Sequence, residues 1–420
     1  MREFDIFNER YGGIFGSNAG SLYFGGGTPS LMSSDFFERI IGYINKNFSL
    51  SSGAEITVEI NPESGDYAKF RVLKDIGVNR ISVGAQSFND EVLKFAGRVH
   101  TGRDIFKCYE NARKAGFDNI SLDIITGLPK QSLDILNSDL TAVKSLDPEH
   151  ISAYMLSIES GTVFYDQLKK LVEFNPPEKT PDINCNINEN ECIDGDCSNF
   201  YRRNSIRISN VGNSNSFDKN LRDGNLPDDK FNDDDKMAEY FVRCAEFLTG
   251  NGYDHYEISN FAKKERQSRH NLTYWQRGEY IGLGPSAASF LRLNPDAEIR
   301  KTNIADLELY LDKISNYEEP AEYIETLTKE DKIEEEIFLS LRTGFGIKEK
   351  RLAEIVRQGV VEDLIKNGFL SLSDNNNDSS NLEADPLRKK NYIPICQGRN
   401  IILTLKGMMV SNEIFVKLLK

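Results

Sequence analysis

Two hydrophobic periods alternate along the first part of this chain. Glu55 to Asn61 sets Ile56, Val58 and Ile60 on one face and Thr57, Glu59 and Asn61 on the other, the period of two expected of a half-buried strand. Arg80 to Gln86 sets Ile81 and Val83 opposite Ser82, Gly84 and Gln86, and Ile120 to Ile125 sets Asp123 opposite Leu122 and Ile124. Leu22, Tyr23 and Phe24 read as a short buried strand, and Ile151 to Leu156 as a further one. Between the strands the period lengthens to that of amphipathic helices. Phe36, Phe37, Ile40 and Ile41 follow the capping cluster Ser33, Ser34, Asp35. A helix around Asp66 to Asp75 is closed by Gly77, and one over Arg103 to Ala115, with Ile105, Phe106, Tyr109 and Ala112 in one stripe, stops at Gly116. Leu133, Leu136, Leu140 and Val143 mark the next. Strand–helix units repeated in this way predict a parallel sheet, open or curled into a barrel.

The pattern then changes. From about Val172 to Asp235 the chain is dense in Asn, Asp, Ser and Pro, too polar to bury a core, and is expected to be a disordered insertion. Cys185, Cys192 and Cys197 fall in it at spacings that match no compact zinc or iron–sulfur motif. An amphipathic helix over Met237 to Thr249 restores order, followed by GYDHYEISNFA (Gly252 to Ala262), RHNLTYW (Arg269 to Trp275) and the small-residue turn GLGPSAAS (Gly282 to Ser289). From Lys329 the periodicity is helical, interrupted by a polar tract over Ser373 to Asn381. Asn400 to Thr404 reads as a short strand and Lys406 to Leu419 as a closing helix. The expected division is therefore a partial barrel over 1–171, an insertion over 172–236, the remainder of the core over 237–328 and a small helical domain with a β-wing over 329–420.

Charge and composition narrow the partners. The 420 residues carry a net charge of −14, which opposes nucleic-acid binding. No run of about 18 apolar residues offers a membrane span. The first 20 residues carry acids and no long apolar core, unlike a signal peptide. The 6 cysteines are scattered, and a reduced, cytoplasmic setting is the expectation.

Candidate chemistry gathers at strand ends. Gly25, Gly26 and Gly27 remove three side chains in a row between a strand and the helix that follows, where cofactors bind in α/β proteins, and Thr28 and Pro29 end the strand. Glu59, Gln86 and Asp123 lie near the carboxyl ends of three successive strands, each opposite that strand's apolar face. In a parallel barrel that face points inward. His270, with Tyr274 and the single Trp nearby, has the donor and the rings to engage a metal or a haem iron; a loop histidine under an aromatic cluster is the alternative.

GGGTPS, the Glu59-x-Asn61-Pro62 strand end, RISVGAQSF, GRVH, DIITGLP, HISAYMLSIE, YEISNFA, HNLTYW and the GLG turn, in this order, resemble the radical S-adenosylmethionine proteins of the oxygen-independent coproporphyrinogen III oxidase type, and within them the haem-chaperone (HemW) branch. The resemblance covers nearly the whole chain outside the insertion and the first 20 residues. It implies a partial parallel (β/α) barrel, here without its first strand, and a small winged-helix-like C-terminal domain. It implies S-adenosylmethionine contacts at Gly26, Gly27, Thr28, Glu59, Gln86, Arg98 and Asp123, and haem binding at His270 within HNLTYW. The family places a Cys-x3-Cys-x2-Cys loop, which holds a [4Fe–4S] cluster, ahead of the glycine stretch. No cysteine precedes Cys108 here. The chain is then an N-terminally truncated reading of a longer gene, or a protein without the cluster; the intact remainder of the motif set favours the first. As written it is not expected to run radical chemistry. The implied activity is haem binding and delivery to an apoprotein, as a single chain or a homo-oligomer. The alternatives are oxidative decarboxylation of coproporphyrinogen III and a remnant that binds neither ligand.

Overall fold

A computed structural model describes residues 1–12, 18–48, 50–157, 234–373 and 398–419. Its centre is a seven-stranded sheet in the order β1-β2-β3-β4-β5-β7-β6. The strands β1 (Ala19–Phe24), β2 (Leu50–Ile60), β3 (Arg80–Gln86), β4 (Ile120–Thr126) and β5 (His150–Met155) are parallel, and β7 (Asn260–Ala262) and β6 (Asp254–Glu257) close the edge antiparallel. Helices α2 (Ser34–Phe48), α3 (Tyr67–Asp75), α4 (Asp90–Phe95), α5 (Gly102–Lys114) and α6 (Leu133–Leu146), with α7 (Asp234–Gly250), make the outer layer. The alternation read in the sequence decides the two faces. Ile56, Val58, Ile60, Ile81, Val83, Leu122, Ile124 and Ile151 form one apolar core with the helix residues Phe37, Phe70, Leu73, Ile105 and Leu140. The inner face is polar, and the sheet curls around it as a half-barrel.

Start signals hold the helices in register with the strands. Thr101 and Asp104 form a capping box at α5, and Asp66 accepts from the Lys69 amide at α3. Short helix α8 (Arg269–Trp275) lies across β1. A second, antiparallel sheet has the order β10-β9-β8, from β8 (Ala288–Arg292), β9 (Glu298–Asn303) and β10 (Ala321–Thr326), with α9 (Leu307–Ser315) beside it. The C-terminal unit packs α10 (Lys329–Leu341), α11 (Glu349–Ile355), α12 (Val360–Lys366), α13 (Leu405–Met409) and α14 (Ser411–Leu419) on a three-stranded wing of β11 (Ile347–Lys348), β13 (Asn400–Leu403) and β12 (Leu370–Ser373).

Several expectations need correcting. The opening residues form a helix, α1 (Arg2–Tyr11), where the sequence reading assigned no element. Its Phe4 ring meets Tyr43 edge-on at 5.7 Å, while Glu3 accepts from the Gly284 amide at 2.8 Å and from Asn303 at 2.5 Å, so α1 ties α2 to the second sheet. That second sheet was not read from the sequence either. β1 is not a uniformly buried strand: all its residues are half-buried, and Tyr23 faces inward. The closing helix divides at Val410. Residues 234–236 of the expected insertion begin α7. The rest of that stretch from 172 to 233, Cys185, Cys192 and Cys197 included, lies outside the described residues.

Candidate functional site

The inner face has two levels. Toward the amino ends of the strands the side chains are sealed: Glu55, Thr57, Arg80, Ser82, Ser121, His150 and Ser152 are all buried. Toward the carboxyl ends, Tyr23, Glu59, Gly84, Gln86, Asp123 and Tyr154 are half-exposed, between apolar neighbours that are almost wholly buried. Polar residues accessible on one side and sealed beneath describe a concave site at the carboxyl rim of a parallel sheet.

Glu59 is its organising residue. Tyr23 donates its hydroxyl to Oε1 at 2.8 Å, and the Gly26 amide donates to Oε2 at 3.1 Å. Gly26 and Gly27 have φ of 81° and 58°, a region that costs a side-chain-bearing residue strain. Gly25 is needed for space: a Cβ there would lie 2.5 Å from the Tyr23 ring and 2.8 Å from Glu59 Oε1. Burial pushes the Glu59 carboxyl upward, and nearby Asp123 adds to the shift, against the two hydrogen bonds. Asp123, across the sheet on β4, is bonded by Ser82 at 2.8 Å, by Ser121 at 3.1 Å and by the Ser152 hydroxyl. Burial raises its pKa as well. Gln86 holds a φ of 64°, a left-handed conformation rare for a residue with a side chain, and its amide nitrogen folds back over Gly84.

Thr28 and Arg98 stand farther out. Thr28 opens the 3-10 turn Pro29–Leu31, and Arg98 is exposed on the loop that His100 fastens to the Ala85 carbonyl at 3.3 Å and to Glu63 at 3.4 Å. The structure thus brings Gly26 and Asp123 to Glu59, places Gln86 over Gly84 at the carboxyl end of β3 and Gly27 and Thr28 in the turn after β1, and leaves Arg98 exposed on its loop.

His270 enters the same concavity from α8. Its ring stacks on Tyr23 with centroids 4.5 Å apart and 13° between planes. Nδ1 is 3.3 Å from Ser21 Oγ, and Nε2 is 2.9 Å from the Tyr274 hydroxyl. Withdrawal from water pushes its pKa down to about 3, with the Arg80 cation adding to the effect, so the imidazole is neutral at physiological pH. Glu55, on the floor of the half-barrel, sets the position of α8: it accepts from the amides of Arg269 and His270, each at 3.1 Å, and from Ser268 Oγ at 3.4 Å. His270 therefore belongs to the first turn of a helix, not to a loop.

Sequence reasoning missed Tyr23, Glu55, Arg80 and Tyr154. Inward alternation on β1 and β2 marks Tyr23 and Glu55 in retrospect; their engagement with a segment more than 200 positions away left no local signal. Among the described residues no group of three or more His, Cys, Asp or Glu is placed to hold a metal ion, and Cys108 and Cys244 are buried, free thiols. The residues described therefore do not fit an iron–sulfur cluster. The bare backbone at Gly26 and Gly27 beside a carboxylate does fit a ligand with a cationic amino group.

Comparison with known proteins gives the family and the fold. Residues 12–140 match the Radical SAM superfamily and residues 327–376 the HemN C-terminal domain. The chain is 30% identical over 403 residues to heme chaperone HemW of Bacillus subtilis (strain 168), covering 94% of this chain and 84% of that protein. It is 32% identical over 327 residues to heme chaperone HemW of Lactococcus lactis (strain IL1403), covering 78% of this chain and 70% of the relative. The solved structure of coproporphyrinogen III oxidase HemN from Escherichia coli superposes with a TM-score of 0.65 at 20% identity, over 99% of this chain and 81% of that one. That is a likeness of fold.

Proposed function

The chain belongs to the HemW family of haem chaperones within the radical SAM superfamily, and on that premise we propose that it holds haem through His270, binds S-adenosylmethionine at the carboxyl rim of the half-barrel, and passes haem to an apoprotein. The observation that carries this reading is the placement of His270. A neutral imidazole, the form that ligates iron, reaches the same concavity as Glu59 through its stack on Tyr23. Bound S-adenosylmethionine supplies a sulfonium and a zwitterionic amino-acid end. Glu59 would accept from its amino group, and the backbone of Gly26 and Gly27 allows close approach. Thr28, Gln86 and Arg98 complete the proposed contacts at the rim, and Asp123 would accept from a ribose hydroxyl. Its proposed setting is the cytoplasm and its proposed partner a haem-accepting protein; no described helix is long and apolar enough to cross a membrane.

Haem titration followed by absorbance tests the assignment. The His270→Ala variant should lose the ligation spectrum and bind haem at least about tenfold more weakly. Unchanged affinity and spectrum would remove His270 from the haem site. Calorimetry with S-adenosylmethionine on the Glu59→Gln variant tests the second ligand in the same way.

A further inference from the structure

We propose that the Tyr274 hydroxyl is a latch on the iron-binding nitrogen of His270, and that it sets how strongly this protein prefers an iron porphyrin over an iron-free one. The inference rests on the reading of His270 as the haem ligand.

A neutral imidazole carries one N–H and one lone pair, and iron needs the lone pair. In this structure both ring nitrogens already face a hydroxyl, Ser21 Oγ at Nδ1 and Tyr274 at Nε2. Whichever tautomer is present, the lone pair is covered. The two contacts differ in strength: 2.9 Å to Tyr274 is a well-formed bond, while 3.3 Å to Ser21 is long for one involving a hydroxyl. Tyr274 is four residues after His270 on α8, the spacing that lays one side chain over another, and its ring meets the imidazole edge-on at 4.9 Å and 85°. Tyr280 packs edge-on against Tyr274 from the other side at 4.5 Å. The phenol is thus held at the nitrogen, and burial keeps it protonated.

Iron can reach Nε2 only where the phenol oxygen now lies, so ligation exchanges the Tyr274 bond for the metal bond. The contact therefore lowers haem affinity by the net worth of one neutral hydrogen bond, a factor of about 2 to 10. A carrier that must release its cargo gains from a competitor fixed at the coordinating atom. The Tyr274→Phe variant keeps the ring, both edge contacts and the packing, and loses only the oxygen.

The experiment is an equilibrium titration of wild type, Tyr274→Phe, Ser21→Ala and His270→Ala with haem and, separately, with iron-free protoporphyrin. Tyr274→Phe should bind haem about 2- to 10-fold more tightly, with a ligation spectrum at lower haem concentration, and bind the iron-free porphyrin as wild type does. Ser21→Ala should tighten neither. Haem affinity unchanged or weakened in Tyr274→Phe overturns the proposal. Equal tightening toward both porphyrins overturns it too, because the cause would be space and not the nitrogen. So does tightening confined to Ser21→Ala. If His270→Ala binds haem like wild type, the reading of His270 itself fails, a result distinct from failure of the latch alone. Should the Phe variant not fold, Tyr274→Leu also lacks the hydroxyl and carries the same expectation.

Discussion

Replacing Glu55 by Gln should loosen the helix that carries His270 while leaving the half-barrel intact. Glu55 is buried and holds the start of α8 through two backbone donors at 3.1 Å and one hydroxyl at 3.4 Å. Each backbone bond to a charged acceptor is worth about 1.5–3 kcal/mol. A carboxylate at a helix start adds a few tenths to about 1 kcal/mol. Gln keeps the shape and one acceptor oxygen, so the substitution removes one of the two backbone bonds and the charge. The net cost is about 2 kcal/mol, or about 30-fold in the opening equilibrium of the segment. Ser268 still caps the Asn271 amide and Arg269 still reaches the Gly53 carbonyl at 2.8 Å in the docked state, but a helix of seven residues does not hold its own bonds once it leaves the sheet, so its amides open with it. Native-state hydrogen exchange measures this directly. Amides from Leu272 to Trp275 should exchange about 30-fold faster, those of β3 beside buried Arg80, which loses its largest opposing charge, should rise as well, and those of Leu136 to Val143 in α6 should keep the wild-type rate. Unaltered exchange in α8 would show that Glu55 does not tether it. An equal rise across α6 would show that the change acts on the whole fold.

Three further outcomes follow from other positions. Burial pushes the Glu257 carboxyl up to about 7 from its ordinary 4.5, against the opposing effects of Arg342, Asn260 and the Ser259 amide. The folded chain therefore holds that proton more tightly than the unfolded one, and the associated stability is complete below about pH 4.5 and lost as pH rises through 7. Glu257→Gln should abolish this slope, leaving the variant more stable than wild type at pH 8 by up to about 3 kcal/mol in urea melts; parallel pH profiles would refute it. Gln86→Gly should relieve the left-handed backbone at φ 64° and raise stability by about 0.5–1 kcal/mol while weakening S-adenosylmethionine binding, and a loss of thermal midpoint would count against the strain argument. Gly25→Ala would force the Tyr23 ring and Glu59 apart from their present contacts. Calorimetry should show S-adenosylmethionine binding reduced about tenfold or more, whereas undiminished binding would mean that neither side chain holds it.

The alternating periods determined a parallel sheet, open or curled, before any coordinates, and the family resemblance chose the partial barrel. Ile56, Val58, Ile60, Ile81, Val83, Leu122 and Ile124 had to face helices because a strand's side chains take opposite faces in turn, and that rule alone turned Glu59 and Asp123 inward. The ordered motifs likewise gave the family. The helix at Arg2–Tyr11 was within reach of the same reasoning, since Phe4, Phe7 and Tyr11 share one buried side. What no local pattern carried was the second sheet and the mutual placement of distant segments. β8 to β10 are short and antiparallel, and they pack against α1, which lies almost 300 positions earlier. The stack of His270 on Tyr23, the hydroxyls at both its nitrogens and the Glu55 tether join residues 213 to 249 positions apart, along with one i, i+4 pair. Periodicity reports which side of an element is apolar. Only packing of the whole chain decides which polar groups then meet across the enclosed space.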